Sequence, residues 1–205
     1  MQQQVNTAGA ADSGCTVDVI IPSYKPDRKF SRLLAMLGRQ SVPIRKIIVM
    51  NTERSYWNEE GYRGIPNLEV HHVEKKDFDH GGTRNLGASY SKADLMVFMT
   101  QDAVPADELL IEKLTAPFRD NERVAASYGR QLADKDCGFI ETYTRSFNYP
   151  EEDRIKDLDD LEELGIKTFF CSNVCAAYKK EIFTRLNGFT SHTIFNEDMI
   201  YAGRA

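Results

Sequence analysis

Cysteine is scarce, positive charge is not in excess, and no apolar run is long. Four cysteines (Cys15, Cys137, Cys171, Cys175) in 205 residues do not make the disulfide framework of a secreted domain. Cys171-x-x-x-Cys175 lacks the spacing and companions of a zinc site, so buried free thiols are expected there. With 26 Lys and Arg against 31 Asp and Glu, the net charge is −5. That excludes broad, sequence-independent nucleic-acid binding, which needs a basic footprint. No stretch approaches the roughly 18 apolar residues of a membrane helix. The first fourteen residues hold no Lys or Arg, so they are not a signal peptide; residues 1–15 read as a disordered tail. No GxGxxG follows the first strand and no Walker-type lysine is present, which counts against a dinucleotide dehydrogenase and a P-loop NTPase. His71, His72 and His192 have no metal-ligand spacing.

What is present is an alternation of strands and helices. Val17–Ile21 is a β-branched run of the kind buried on both faces, expected to stop at Pro22. Phe30, Leu33, Leu34 and Leu37 recur at helical spacing. Lys46–Met50 and Leu68–Val73 read as strands, the latter more polar. Gly81 and Gly82 open a helix running to Ser91, and an apolar strand then ends at Asp102. Leu110, Leu114 and Phe118 mark another helix, and Val124–Tyr128 a fifth strand. Residues 130–150 follow neither period, although they hold Phe139, Tyr143, Phe147 and Tyr149. Eight carboxylates within 151–163 read as a solvated helix or loop. Thr168–Tyr178 is strand-like, and a short helix near Lys180–Leu186 ends before Gly188. Strand–helix alternation predicts an α/β fold, a mostly parallel sheet flanked by helices, with no second domain.

In such a sheet the C-terminal strand ends share one edge, where ligands bind. Pro22-Ser23-Tyr24, Asn51-Thr52-Glu53, Asp77 to His80 and Gln101-Asp102 should therefore line one crevice. Asp102 is either a strand-end cap or, with a divalent cation, a holder of a diphosphate; Asp107 suits the cap of the next helix better. The turn His80-Gly-Gly-Thr-Arg-Asn-Leu-Gly87 offers backbone N–H groups of Gly82 and the Arg84 fork to an anion. Alternatively its glycines only make a tight turn while Asn85 bonds nearby backbone. Glu197-Asp198, at a helix start, is a capping pair by its dipole or contains a general base.

Val17-Asp-Val-Ile-Ile-Pro-Ser-Tyr24, Gly81-Gly-Thr-Arg-Asn-Leu-Gly-Ala88, Thr100-Gln-Asp102 and Glu197-Asp198 resemble, in this order, the motifs of family 2 glycosyltransferases, over about 16–205. Gly129-Arg-Gln131, Phe147-Asn-Tyr-Pro150 and Phe169–Ala177 look most like the rhamnosyltransferase-like branch. The resemblance implies a GT-A fold, with a Rossmann-like sheet, and inverting transfer from a nucleotide-sugar donor, dTDP- or UDP-linked. Rhamnose is the sugar this branch suggests. The acceptor it implies is a lipid-linked or oligosaccharide hydroxyl in bacterial surface polysaccharide synthesis. On that analogy Pro22, Ser23 and Tyr24 border the nucleoside, Glu53 stands near an acidic base or ribose contact, and Gly82, Arg84, Asn85 and Gln101 complete the donor site. Asp102 takes the last position of a DxD motif holding Mg²⁺ or Mn²⁺, and Asp198, beside Glu197, is the base. Two departures are evident: Thr100 replaces the first DxD carboxylate, and Asn51-Thr52 replaces the common Asp pair. Members usually continue past the Glu-Asp pair, often with a histidine completing the metal site, so a C-terminally incomplete domain is expected. The expected location is cytoplasmic, at the inner membrane face, with room for a peripheral membrane contact. The other classes open to the sequence are a non-catalytic nucleotide-sugar-binding domain and, lower in rank, a nucleotidyltransferase.

Overall fold

The computed structural model describes residues 14–133 and 137–205. The expected tail therefore lies, except for Gly14 and Cys15, outside the described residues. In chain order the main elements are β1 (Val17–Tyr24), α1 (Arg28–Leu37), β2 (Lys46–Thr52), α2 (Glu59–Tyr62), β3 (Leu68–Val73), α3 (His80–Tyr90), β4 (Leu95–Met99), α4 (Leu110–Asp120), β5 (Ala126–Tyr128), α5 (Phe139–Asn148), α6 (Leu161–Leu164), β6 (Cys175–Lys179), α7 (Lys180–Arg185) and α8 (Glu197–Ala202).

The strands form one sheet in the order β3-β2-β1-β4-β6-β5. β1, β2, β3 and β4 run parallel, and β6 lies antiparallel to both β4 and β5. The apolar runs of β1, β2 and β4 are continuous because both faces are covered. Val19, Ile21, Val49 and Val97 pack against Phe30, Leu33 and Leu34 of α1 and Ile111 and Leu114 of α4. Ile20, Ile48, Met50 and Phe98 pack on the other face with Ala88 of α3, Phe183 of α7 and Tyr201 of α8. α1 forms where its apolar residues share one face and Asp27 caps its start, accepting from the Lys29 and Phe30 amides.

Four expectations need correction. Pro22 does not end β1, which stays in register with β2 to Tyr24↔Thr52. Carbonyls of successive strand residues alternate in direction, and that of Val17 points to β2. Pro22 therefore faces the β4 side, where pairing has already stopped at Ile20↔Phe98, so its missing N–H costs no ladder bond. The strand expected from Thr168 starts only at Cys175, because Gly165–Phe169 is a 3-10 turn. The fifth strand shrinks to Ala126–Tyr128 at the sheet edge. In the irregular region α5 appears: its aromatic residues do have helical spacing, but they point to solvent and none of the helix is buried. The acidic run is the solvated turn and short helix α6, with Arg154 held between Asp160 and Glu163.

Candidate active site

β1 sits at the switch point of the sheet, with β2 and β3 to one side and β4 to the other, and crevices form at such points. There the Gln101 carboxamide closes on the Tyr24 backbone, accepting from its N–H at 2.8 Å and donating to its carbonyl at 3.1 Å. The Ser23 hydroxyl donates to Asn51 Oδ1 (3.2 Å), and Asn51 Nδ2 lies 3.1 Å from both the Glu53 carbonyl and His72 Nδ1. Asn51, standing where an acidic pair is common, thus knits three strand ends together without charge. Glu53 holds a positive φ of 66° and its carboxylate accepts from the Lys75 amide. A non-glycine residue in that region costs conformational energy and often marks a functional turn. Tyr24 meets Tyr56 edge-on at 5.4 Å, with the Lys25 ammonium over both rings. Tyr56 was not found from sequence because no period or motif marks it. The expected strand-end clusters after β1, β2 and β4 do meet on this edge.

Asp102 is an exposed residue in the turn after β4, three residues beyond the strand end rather than on it. Nor does Asp107 cap α4: it accepts from the Leu109 amide at 2.9 Å in the turn before the helix, whose N-cap Leu109 has no side-chain capping bond. Among the described residues no group of three His, Cys, Asp or Glu side chains converges as a metal cage. One carboxylate fits a Mg²⁺-like ion that keeps waters and takes most of its ligands from a diphosphate.

The glycine-rich turn differs from the anion cradle expected. Asp79 caps α3, taking the Gly82 N–H at 2.5 Å, and its other oxygen takes the His192 amide at 2.9 Å. A Cβ on Gly81 would run into the Thr190 carbonyl. Asn85 bonds both ways with Phe189, donating to its carbonyl at 2.8 Å and accepting from its amide at 2.9 Å. The Gly82 donor and the Asn85 amide are thus engaged within the protein. Arg84 is buried, with Nη1 3.0 Å from the His80 carbonyl and 3.1 Å from Glu197 Oε1.

Arg84 and Glu197 border a cavity of about 570 Å³, lined also by Thr100, Gln131, Arg145, Ser172, Asn173 and Asp198. Asp102 lies outside this lining, although Thr100, two residues before it, belongs to it. The Thr100 hydroxyl is buried with no partner among the described residues. Asp198 Oδ2 accepts the Asn173 amide at 2.9 Å and Oδ1 that of Met199 at 2.9 Å, leaving lone pairs for a further donor. Burial, reinforced by the Glu197 charge, raises the Asp198 carboxyl above its ordinary value of 3.8. Glu197 is also buried, and besides Arg84 it accepts from Asn173 Nδ2 at 3.2 Å. Both members of the pair line the cavity, and Asp198, the less buried of the two, is the candidate to meet a ligand. Asn173 was missed as a site residue; its place in the 169–177 stretch was the available signal. The far wall is a polar network in which Arg145 donates to Gln131, and Gln131 donates to Ser172 and to the Tyr149 hydroxyl. α5 is inverted: Glu141, Thr144, Arg145 and Asn148 face the cavity, whereas Phe139, Tyr143 and Phe147 stack in a row toward solvent.

The model of glycosyl transferase family 2 matches residues 18–186. The chain is 37% identical over 189 residues to the O-antigen chain rhamnosyltransferase RfbN of Salmonella typhimurium, covering 92% of this chain and 60% of that protein. It is 44% identical over 133 residues to the O-antigen chain rhamnosyltransferase WbaN of Salmonella anatum, covering 64% of this chain and 42% of that protein. The chain thus spans 60% and 42% of the length of these curated relatives. Among solved structures it resembles S. aureus TarS 1-349 in complex with UDP-GlcNAc, with TM-score 0.67 and 18% identity over 93% of this chain and 53% of that one. It also resembles the mannosyltransferase PcManGT of Pyrobaculum calidifontis in complex with GDP-Man and Mn²⁺, with TM-score 0.65 and 16% identity over 93% of this chain and 51% of that one. The fold is GT-A, and the chain belongs to glycosyl transferase family 2.

Proposed function

We propose that this member of family 2 catalyses inverting transfer of a sugar, rhamnose first among candidates, from a dTDP- or UDP-linked donor. The acceptor is a hydroxyl of a lipid-linked glycan in bacterial surface polysaccharide synthesis. One observation carries the reading. Asp198, a carboxylate with a raised pKa and two orienting backbone donors, opens into a polar cavity beside the strand-end edge. The two O-antigen rhamnosyltransferases it resembles support the choice of sugar and product class.

In the reaction Asp198 takes the proton of the acceptor hydroxyl as its oxygen attacks the anomeric carbon. The bond from that carbon to the diphosphate breaks on the opposite face, and its electron pair leaves with the nucleoside diphosphate. Tyr24 and Tyr56 offer ring surface to the base, Glu53 lies near the ribose, and Pro22 and Ser23 form the floor beneath. Asp102 would hold Mg²⁺ or Mn²⁺, which offsets the negative charge gathering on the departing diphosphate. On the acceptor side, the inversion of α5 favours an amphiphile: a polar head among Gln131, Arg145 and Ser172, an apolar tail along Phe139, Tyr143 and Phe147. Such an acceptor places the protein at the cytoplasmic membrane face, by peripheral contact. No helix among the described residues is long and apolar enough to cross a membrane.

The test is transfer of labelled sugar from dTDP-rhamnose to a lipid-linked acceptor extract by the full-length protein, beside Asp198→Asn. Turnover that collapses in the variant is expected. Nucleotide binding without turnover in either protein would instead identify a non-catalytic nucleotide-sugar-binding domain, and neither binding nor turnover with any nucleotide sugar sinks both readings.

A further inference from the structure

Four residues of the glycine-rich turn and its cap, expected to cradle phosphate, reach instead the segment that delivers Asp198. Asp79 holds the His192 amide, Gly81 packs on the Thr190 carbonyl, Asn85 brackets Phe189 through both its backbone groups, and Arg84 pairs with Glu197. Gly188, with φ of +67°, leaves room for Asn85, since a Cβ there would collide with its Oδ1. The clasped segment has little regular structure of its own. His192 and Asn196 hold positive φ, and α8 has only six residues. Its position must therefore come from its neighbours, α3 on one side and Asn173 before β6 on the other.

We propose that the Asp79–Asn85 turn is a clasp for residues 188–198, and that Arg84 is a positioning residue for Asp198 rather than a contact to the nucleotide. The inference rests on Asp198 being the base. Arg84 is anchored to α3 by the His80 carbonyl and neutralises Glu197, a carboxylate buried beside the base. Without that partner an uncompensated charge would be left in the protein interior, a costly state that drives rearrangement. The first turn of α8 would shift, and Asp198 with it. Asn173 sets the other side of the same frame, its amide on Asp198 and its carboxamide on Glu197. Tyr178, buried, donates its hydroxyl to Asn173 Oδ1 at 2.8 Å and fixes that carboxamide in turn.

The experiment compares Arg84→Met, which removes the cation at similar volume, and Asn85→Asp with wild type in the full-length protein, reading kcat, donor KM and nucleoside diphosphate affinity separately. A misplaced base predicts a fall in kcat on the order of 100-fold in Arg84→Met, with donor KM and diphosphate affinity unchanged. Asn85→Asp, which keeps the acceptor for the Phe189 amide but loses the donor to its carbonyl, should give a smaller fall of the same kind. It covers the case in which Arg84→Met does not fold. Weakened diphosphate binding with kcat retained would make the turn a nucleotide site and overturn the clasp, as would unchanged kcat in both variants. Absent turnover in wild type is a different result, since it removes the transferase reading itself.

Discussion

Gln101 and Tyr24 are joined by a reciprocal pair of hydrogen bonds, 2.8 and 3.1 Å long, across the point where the ladder between β1 and β4 has ended. A side-chain amide here imitates one more rung of sheet. It holds the two strand ends at a fixed separation just below the Tyr24 and Tyr56 rings. On the proposed donor site Gln101 would therefore act chiefly through the backbone it fixes.

Replacing Gln101 with Ala removes both bonds at a half-buried position. A loss of about 1–2 kcal/mol is expected, read as a fall in Tm of roughly 2–4 °C for each kcal/mol. Affinity for a nucleoside diphosphate should fall with it. Gln101→Glu retains only the acceptor and should rank between Ala and wild type. Equal Tm values for all three proteins would show that the rung carries no stability.

Asp198→Asn should stabilise the protein and stop its chemistry. Burial, then the Glu197 charge, raises the folded-state carboxyl above 3.8, so the unfolded chain releases this proton at lower pH than the folded one. Keeping Asp198 ionised is therefore a cost to folding, absent well below 3.8 and reaching its full size once pH exceeds the raised folded value. The Asn oxygen still accepts from the Asn173 amide, whereas the Met199 amide loses its acceptor, so the gain is the removed charge less one hydrogen bond. The expected result is a Tm gain at pH 7 that shrinks at pH 3, with turnover reduced on the order of 10²–10⁴-fold. A Tm gain independent of pH would sink the electrostatic account.

Asp102 stands outside the cavity lining, with Thr100 where a second carboxylate would help it. Nucleoside diphosphate with Mn²⁺ should raise Tm more than the nucleotide alone. Asp102→Ala should remove that extra rise and leave the metal-free rise in place. Thr100→Asp, adding a carboxylate near the site, should tighten the metal-dependent step. An unchanged Mn²⁺ effect in Asp102→Ala would free Asp102 of any role with the ion.

The α5 stripe can be altered without touching a core. Phe139→Ser and Tyr143→Ser, at positions 83% and 60% exposed, should change stability by no more than about 0.5 kcal/mol. Acceptor KM should rise for a lipid-linked glycan and stay fixed for the same glycan without its lipid. Equal effects on both acceptors would move the contact from the lipid to the sugar.

Much of this was legible in the sequence, for physical reasons that differ by element. β1, β2, β4 and α1 announce themselves because burial on one or two faces imposes a period, and Glu197-Asp198 fell at a helix start as its dipole suggests. The misread elements obey rules a period does not record. α5 has helical spacing but turns its aromatics outward, so its pattern signals a surface rather than a core. Pro22 stays within a strand because of which neighbour it faces, a fact of sheet order. The partners of Arg84 and Asn85 lie 113 and 104 residues away along the chain, and no local motif specifies which of a phosphate or a carboxylate an arginine will meet.

Gly81 separates those two meanings of the turn by stability alone. A Cβ there would meet the Thr190 carbonyl oxygen and carbon, main-chain atoms that cannot swing aside, whereas at Gly64 nothing lies within 4 Å. Crowding of this kind typically costs about 1–3 kcal/mol. At Gly64 the same substitution restricts the unfolded chain and should be neutral or stabilising by about 0.4–1 kcal/mol. Thermal unfolding of Gly81→Ala and Gly64→Ala checks both. Were the glycine there to admit a phosphate, Gly81→Ala would keep its Tm and lose nucleotide affinity. Packing against the 188–198 segment predicts the reverse: a lower Tm, faster amide exchange through Phe189 to His192, and diphosphate affinity intact in the fraction that remains folded.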